Sequence, residues 1–439
     1  MQEHRRHSRK RRRRSGSQGC EERDDGSADE MKVGDERRLG GVPGKASGPS
    51  CEPARGVSGD VEHKGGMEEG RGKSVYRKNE SVDDDAYFGG YSGIEIHQDM
   101  LQDRARTEAY RDAILENAPM FKGKAILDVG CGTAILSMFA KDAGARVVYA
   151  VDASKMATYA KRIVKKNKAD DVIKVLHGKM EEIQLPEKVD IIISEWMGYF
   201  LVYESMLDSV LHARDRWLKP DGKMFPAEAR LFLGGFRWPE YIQENLGYWR
   251  NVYGKDFTAL IPLAYRSHLK DPVIDELSVE QEVTGSNLVK DINLMTIKKE
   301  DLSSWSAEFS LQAMISASVH GIFAWFEVEF PSLEGKNTDT KSGVEEGEGP
   351  VILSTAPEEE PTHWGQALFF FNDFPEIQQD DLISGTLNVR KNDKNPRFLD
   401  IQIRWRHEPS AKEDVNGGSC DKGMPINSTK FVVQKYKFA

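Results

Sequence analysis

The chain has only four cysteines in 439 residues. Cys20, Cys51, Cys131 and Cys420 are scattered without metal-binding spacing, which suits a reducing compartment. No run of about 18 apolar residues exists, which excludes a membrane-spanning helix. No apolar stretch follows the basic start, so a secretory signal is not expected. Large apolar side chains are nearly missing from residues 1–82, where Arg, Lys, Glu, Asp, Gly and Ser dominate. Such a stretch cannot bury enough surface to offset chain entropy and is expected to be a disordered tail.

The formal net charge of −10 is unevenly spread. Arg5, Arg6, Arg9, Lys10 and Arg11 to Arg14 make a basic cluster in an otherwise acidic chain. The cluster reads as a nuclear import signal or a weak nucleic-acid contact, against the plainer reading of a solvated tail. Arg55-Gly56 and Gly70-Arg71-Gly72 are short Arg–Gly steps of the kind that are modified. Length suggests about three domain-sized pieces: the tail at 1–82, an α/β piece at 83–226 and a strand-rich piece at 227–439.

Order is expected to begin near Asp83. A helix is predicted over 97–117, with Leu101, Ala105, Ala109 and Ala113 as its buried stripe. Asp103 and Arg106 lie three apart on it, and spacing alone makes them a surface ion pair of little worth. Residues 124–225 alternate strand and helix. A buried strand ends in Asp128-Val129-Gly130-Cys131-Gly132-Thr133-Ala134, and an apolar helix follows at 135–143. A second strand ends at Asp152, 22 residues beyond Gly130. This is the layout of a βαβ nucleoside site: glycines admit close ligand approach and the acid holds ribose hydroxyls. The third glycine of a dinucleotide fingerprint is lacking because Ile135 stands there, so a nucleoside without phosphates fits better than a pyrophosphate. A third strand, 172–177, ends at His177, which reads as a packing residue.

Residues 191–206, IIISEWMGYFLVYESM, lack His and Cys. A fourth strand ends at Ser194-Glu195, a loop with Gly198 follows, and Glu204 opens a helix expected over 203–218. Lys219-Pro220-Asp221-Gly222 reads as a turn. Two carboxylates nine residues apart thus sit on a strand-to-helix rim, where open α/β sheets bind ligands. Two acids in one pocket need a cation between them, or one stays protonated. An oxygen-bound Mg²⁺ and a guanidinium both meet that need.

Beyond Pro226, alternating segments at 231–236, 291–297, 309–314, 322–330, 366–371, 385–389, 399–405 and 431–438 predict antiparallel strands in a barrel or sandwich. Residues 238–262 interrupt them with a helical stretch carrying Tyr241, Tyr248, Trp249 and Tyr253, either local core or a contact for another subunit. Polar loops are expected at 334–350 and 409–428. Thr362-His363-Trp364 precedes a strand.

Taken in order, Tyr87-Phe88-x-x-Tyr91, His97 through Arg106-Thr107, Leu127 to Thr133, Ser194 to Tyr199 with Glu204-Ser205-Met206, and Thr362-His363-Trp364 resemble the protein arginine methyltransferases. The type I enzymes are nearest. The resemblance runs from about Tyr87 to the C-terminus. It implies a Rossmann-like S-adenosylmethionine-dependent methyltransferase domain, then an antiparallel β-barrel with a helical dimerisation arm at 238–262. It implies S-adenosyl-L-methionine as methyl donor, S-adenosylhomocysteine as product, and mono- and asymmetric dimethylarginine formed on proteins with exposed arginines, histone tails and Arg–Gly-rich proteins among them. A nuclear or also cytoplasmic homodimer acting on chromatin is the corresponding expectation.

By position, Arg106 would hold the donor's carboxylate, Gly130 and Gly132 its amino-acid part, Asp152 the ribose and Glu181 the adenine, with His97, Tyr91 and Met100 also on the donor side. Glu195 and Glu204 would clamp the substrate guanidinium. Asp103 and His363 would pair beside it, and Tyr87, Met206 and Trp364 would face the substrate. No metal is implied. Three departures stand out: Ala134 replaces the family's glycine, Asp152 its glutamate, and Gly89-Gly90 a more polar pair. Two rival readings remain at this stage. One is a catalytically weak adaptor binding partners through barrel and tail, with Ala134 as its support. The other is a small-molecule methyltransferase.

Overall fold

The computed structural model describes residues 84–333, 349–410 and 431–438. The basic cluster, the Arg–Gly steps and most of both polar loops lie outside these residues. The described residues belong to one compact unit, 75–439.

The chain enters through helices Asp84–Gly90 (α1), Ile94–Gln102 (α2), Arg104–Glu116 (α3) and the single turn Ala118–Phe121 (α4). The helix predicted over 97–117 is therefore two helices, broken at Asp103. Its backbone is extended (φ −66°, ψ 97°), and its carboxylate accepts the Arg106 N–H at 2.9 Å, an N-cap for α3. The break rotates α3 relative to α2. On α3 the buried residues are Arg106, Tyr110, Ala113 and Ile114; of the expected stripe Ala113 is buried, Ala105 and Ala109 are half-buried, and Leu101 is exposed.

Five parallel strands follow: Ala125–Val129 (β1), Val147–Asp152 (β2), Ile173–His177 (β3), Val189–Ile193 (β4) and Leu218–Phe225 (β5), in the order β3-β2-β1-β4-β5. Every residue of β1 is buried, as a strand covered on both faces requires. Helices Ile135–Asp142 (α5), Met156–Lys166 (α6) and Met206–Trp217 (α7) connect the strands. Asp128 on β1 accepts a 2.6 Å hydrogen bond from Ser137 and so ties α5 to the sheet. The predicted turn at Lys219–Gly222 lies inside β5. Val189 pairs with Leu218 and Ile191 with Lys223, so the intervening residues bulge out of the ladder. His177 is exposed at its strand end rather than packed. The strand order reverses between β1 and β4, and the crevice beyond their C-terminal ends is where such sheets bind ligands.

After β5 the sheets become antiparallel. Glu228–Phe236 (β6), Val273–Asp275 (β7), Asn287–Asn293 (β8), Ser304–Gln312 (β9), Ala317–Ser318 (β10), Gly321–Glu329 (β11), Ile352–Ser354 (β12), Gln366–Phe370 (β13), Glu376–Ile377 (β14), Leu382–Lys391 (β15), Leu399–Glu408 (β16) and Val432–Phe438 (β17) form two main sheets. One runs β7-β13-β11-β6-β8 with β12 on β11, the other runs β17-β16-β15-β9, and β10 and β14 form a separate two-stranded ladder. Their inward residues, Leu231, Phe309, Phe326, Leu387, Ile403 and Tyr436 among them, share a continuous apolar core with the parallel sheet. The short strands β7, β10, β12 and β14 are too brief to show an alternation in sequence. Residues 239–268 fold as helix Pro239–Asn245 (α8), two 3₁₀ turns and helix Ile261–His268 (α9). Trp238, Tyr241 and Leu246 pack beneath them on Phe236, Phe323 and Phe370. Tyr253 at the far end is 98% exposed.

Candidate active site

One cavity, with about 1280 Å³ of empty space partly open to solvent, lies over the ends of β1 and β4. Its floor is the β1–α5 turn. Gly130 has φ +75°, a backbone conformation that favours glycine, and a Cβ there would meet the Met206 methyl at 2.6 Å and push that flexible side chain aside. A side chain at Gly132 would press on the His97 ring. His97 is buried, and its Nε2 lies 2.9 Å from the Tyr91 carbonyl oxygen. Asp152, ending β2, accepts the Gly132 N–H at 2.8 Å and the Ser154 hydroxyl at 2.6 Å, which orients its carboxylate along the cavity wall. Glu181 completes this side and takes a hydrogen bond from the Ser209 hydroxyl at 2.7 Å. Ala134, behind this turn, is fully buried at φ +69°.

Glu195 follows β4. Its Oε2 accepts Arg106 Nε at 3.0 Å and Nη2 at 2.9 Å, while its Oε1 is buried with no hydrogen-bond partner among the described residues. Burial of an unmatched carboxylate oxygen costs free energy, and a hydrogen-bond donor reaching Oε1 would relieve that cost. Tyr110 donates to the Ser194 carbonyl at 2.9 Å, and the Trp364 indole N–H donates to the Met197 carbonyl at 3.0 Å, so the loop bearing Glu195 is braced from two sides. Arg106 also donates to the Met100 carbonyl at 2.9 Å. The surface pairing of Asp103 with Arg106 expected from spacing is thus overturned: both are buried and each serves a different partner.

Glu204 does not open a helix. It sits in the 3₁₀ turn Tyr203–Ser205 ahead of α7 at φ +73°. The Tyr91 hydroxyl donates to its Oε2 at 2.7 Å, and the Tyr87 hydroxyl also bonds it. Burial, followed by the charge of Glu195, pushes its carboxyl up to about 7, against the pull of these hydroxyls and of Arg397.

Asp103 and His363 meet across 260 positions of sequence, with His363 Nδ1 2.6 Å from Asp103 Oδ2 and the His363 N–H donating to the same oxygen at 2.9 Å. Burial raises the Asp103 carboxyl, but the His363 ring and the Arg106 and His363 N–H groups outweigh it and hold the acid low. Tyr87, Tyr91, His97, Met100, Arg106, Gly130, Gly132, Asp152, Glu181, Glu195, Glu204, Met206, His363 and Trp364 all line the cavity; Asp103 stands behind His363. Sequence reasoning passed over Tyr110, a plain helix aromatic until its hydroxyl is seen on the Ser194 carbonyl. It also passed over Arg397, which lies in a turn with no pattern to mark it.

Comparison with known proteins agrees with this geometry. Residues 126–222 match the family described as Methyltransferase domain, and residues 227–411 match the Arginine methyltransferase oligomerization subdomain. The chain is 44% identical over 331 residues to probable protein arginine N-methyltransferase 6.1 of Oryza sativa subsp. japonica, covering 73% of this chain and 85% of that one. It is 41% identical over 326 residues to protein arginine N-methyltransferase 1 of Dictyostelium discoideum, covering 74% and 90%. Among solved structures, the Trypanosoma brucei PRMT1 enzyme-prozyme heterotetrameric complex with AdoHcy superposes with a TM-score of 0.68 at 38% identity, covering 80% of this chain and all of that one. With identity at this level along both the parallel-sheet and antiparallel pieces, the chain belongs to the protein arginine methyltransferases.

Proposed function

We propose that this protein transfers methyl groups from S-adenosyl-L-methionine to guanidinium nitrogens of protein arginines, giving monomethylarginine and then asymmetric dimethylarginine. The observation that carries this reading is the pair of buried glutamates, one with an oxygen left unmatched, at the head of a cavity floored by a glycine turn. The residues present suit the donor. The backbone at Gly130 and Gly132 leaves room for its amino-acid part, Asp152 keeps a lone pair on Oδ2 for a ribose hydroxyl, and Glu181 offers an acceptor to an adenine amino group. When bound, the donor supplies a methyl on a sulfonium, which needs no further activation.

The protein's task is then to prepare the acceptor. A guanidinium nitrogen is a poor nucleophile because its lone pair is shared over the whole cation. Glu195 and Glu204 favour positive charge on the two nitrogens they bond and so leave density on the third. Fixing that nitrogen in line is worth up to roughly 7–11 kcal/mol. Met100 and Met206 limit the space around it. The Asp103–His363 pair stands at the same end of the cavity, with its carboxylate held in the charged form.

The test is mass spectrometry of an Arg-rich histone-tail peptide incubated with the donor. Mass gains of one and two methyls with the asymmetric fragment pattern are expected from the native protein, and no gain from Glu195→Gln. A Glu195→Gln protein that methylates as well as the native one removes the clamp from the reading. The adaptor reading is disfavoured, because an adaptor has no use for a donor-sized cavity ending in paired carboxylates. The barrel and the paired acids also speak against a small-molecule methyltransferase. Histone tails and Arg–Gly-rich proteins are the substrates we would try first. A homodimer joined through residues 238–262, in the nucleus, completes the proposal.

A further inference from the structure

The turn Tyr203–Ser205 is held in a conformation its own residues resist. Glu204 at φ +73° and Ser205 at φ +56° are both non-glycine residues in the left-handed region, a conformation that persists only where the surroundings impose it. What imposes it comes from far along the chain. The Glu204 N–H donates to the Arg397 carbonyl at 2.9 Å, Arg397 Nη1 donates back to the Glu204 carbonyl at 2.8 Å, and the Ser205 hydroxyl donates to the Pro396 carbonyl at 2.7 Å. The same guanidinium reaches the entrance helix. Arg397 Nη2 donates to Asp84 at 2.9 Å, and its carbon lies 3.8 Å from the centroid of the Tyr87 ring. Lys179 holds the other Asp84 oxygen at 2.6 Å.

We propose that Arg397 is a positioning residue for acceptor binding: one guanidinium, delivered by the β15–β16 hairpin, locks the turn carrying Glu204 to the helix carrying Tyr87. This deepens the arginine-methylating reading above and rests on it. The two contacts differ in kind. The backbone pairing sets where Glu204 points, whereas the Asp84 pair and the ring stacking set where α1 lies across the cavity. Losing Arg397 therefore disturbs the acceptor end more than the nucleoside end. Its charge also matters to Glu204, which faces Tyr87 of α1, Tyr91 of the α1–α2 connection and Glu195 of the β4 loop, with Arg106 of α3 beyond Glu195. Arg397 supplies the positive charge on the Glu204 side of this group.

Four proteins decide the matter: native, Arg397→Gln, Arg397→Lys and Asp84→Asn. Each is read by kcat/KM for an arginine peptide across pH and by amide exchange of 84–90 and 203–205. Calorimetry with S-adenosylhomocysteine is run beside them. Arg397→Gln should lower kcat/KM for the peptide by about a hundredfold, the scale of a small misplacement of a reacting group. It should move the acidic limb of the profile to higher pH, speed exchange in both segments, and weaken S-adenosylhomocysteine binding less than peptide turnover. Arg397→Lys should restore the limb but not the exchange protection of 84–90. Asp84→Asn should speed exchange in 84–90 and leave the limb in place. An Arg397→Gln protein with native exchange in both segments and a native pH profile overturns the proposal. If Arg397→Gln does not fold, the lysine and Asp84 variants decide in the same way. If the native protein methylates no arginine peptide, the functional reading fails, while the exchange data still decide whether the lock exists.

Discussion

Glu195 and Glu204 are the same side chain in two settings, and the difference sets their chemistry. Glu195 already carries a cation on one oxygen, so its charge is matched before substrate arrives. Glu204 has only phenol hydroxyls and the more distant Arg397 to oppose its burial and the charge of its neighbour. Since only its ionised form can grip a guanidinium, kcat/KM for peptide should fall with a one-proton slope as pH drops through about 7. A bound guanidinium favours the ionised form, so the limb in kcat should lie lower than the limb in kcat/KM. A pH–rate series on a peptide of constant charge checks both. Ala134 is the other informative residue. Its methyl group at φ +69° is held in a region glycine enters freely. Ala134→Gly should stabilise the protein by roughly 1 kcal/mol in chemical denaturation.

The break between α2 and α3 is the element on which the site turns. An unbroken helix would place Asp103 and Arg106 side by side on one surface. The extended residue at 103 instead caps α3 and aims its carboxylate at His363, while Arg106 turns inward to Glu195. Cap and pairing can be separated by substitution. Asn caps helices as well as Asp, so Asp103→Asn should keep the stability of α3 yet slow methylation by removing the charge beside His363. Asp103→Ala should lose both, at about 1 kcal/mol for the cap. Denaturation midpoints together with turnover rates distinguish the two effects. The βαβ unit was readable because its signals are local: an apolar strand, a turn demanding glycine, and an acid at a set distance. The helix break was not, because a capping aspartate and a surface aspartate look alike until tertiary contacts choose the backbone.

Across the whole molecule, the second half does more than follow the first. It delivers His363 and Trp364 to the cavity and Arg397 to the clamp turn. Its helical excursion at 239–268 also exposes Tyr248, Tyr253, Phe257 and Leu263. Apolar rings this exposed on an ordered segment suit a contact with another copy. Light scattering of the full chain should therefore give twice the monomer mass, and replacement of residues 247–257 by a short Gly-Ser linker should give a monomer with reduced transfer. A monomer of full activity would remove the arm from the proposal.

Composition, strand periodicity and the spacing from Gly130 to Asp152 were enough to assign a nucleoside-binding α/β unit followed by antiparallel strands, because these signals come from backbone sterics and burial period within one segment. The ordered motifs then pointed to the family. What the linear pattern could not convey was which distant groups meet: Asp103 with His363, Arg106 with Glu195, Arg397 with Glu204. Each of these pairs joins charges far apart in the chain, and only the packing of strands and helices around a shared core brings them within hydrogen-bond reach. The left-handed turn that sets the angle of Glu204 was hidden for the same reason, since its own residues disfavour it and its support comes from a hairpin almost two hundred positions away.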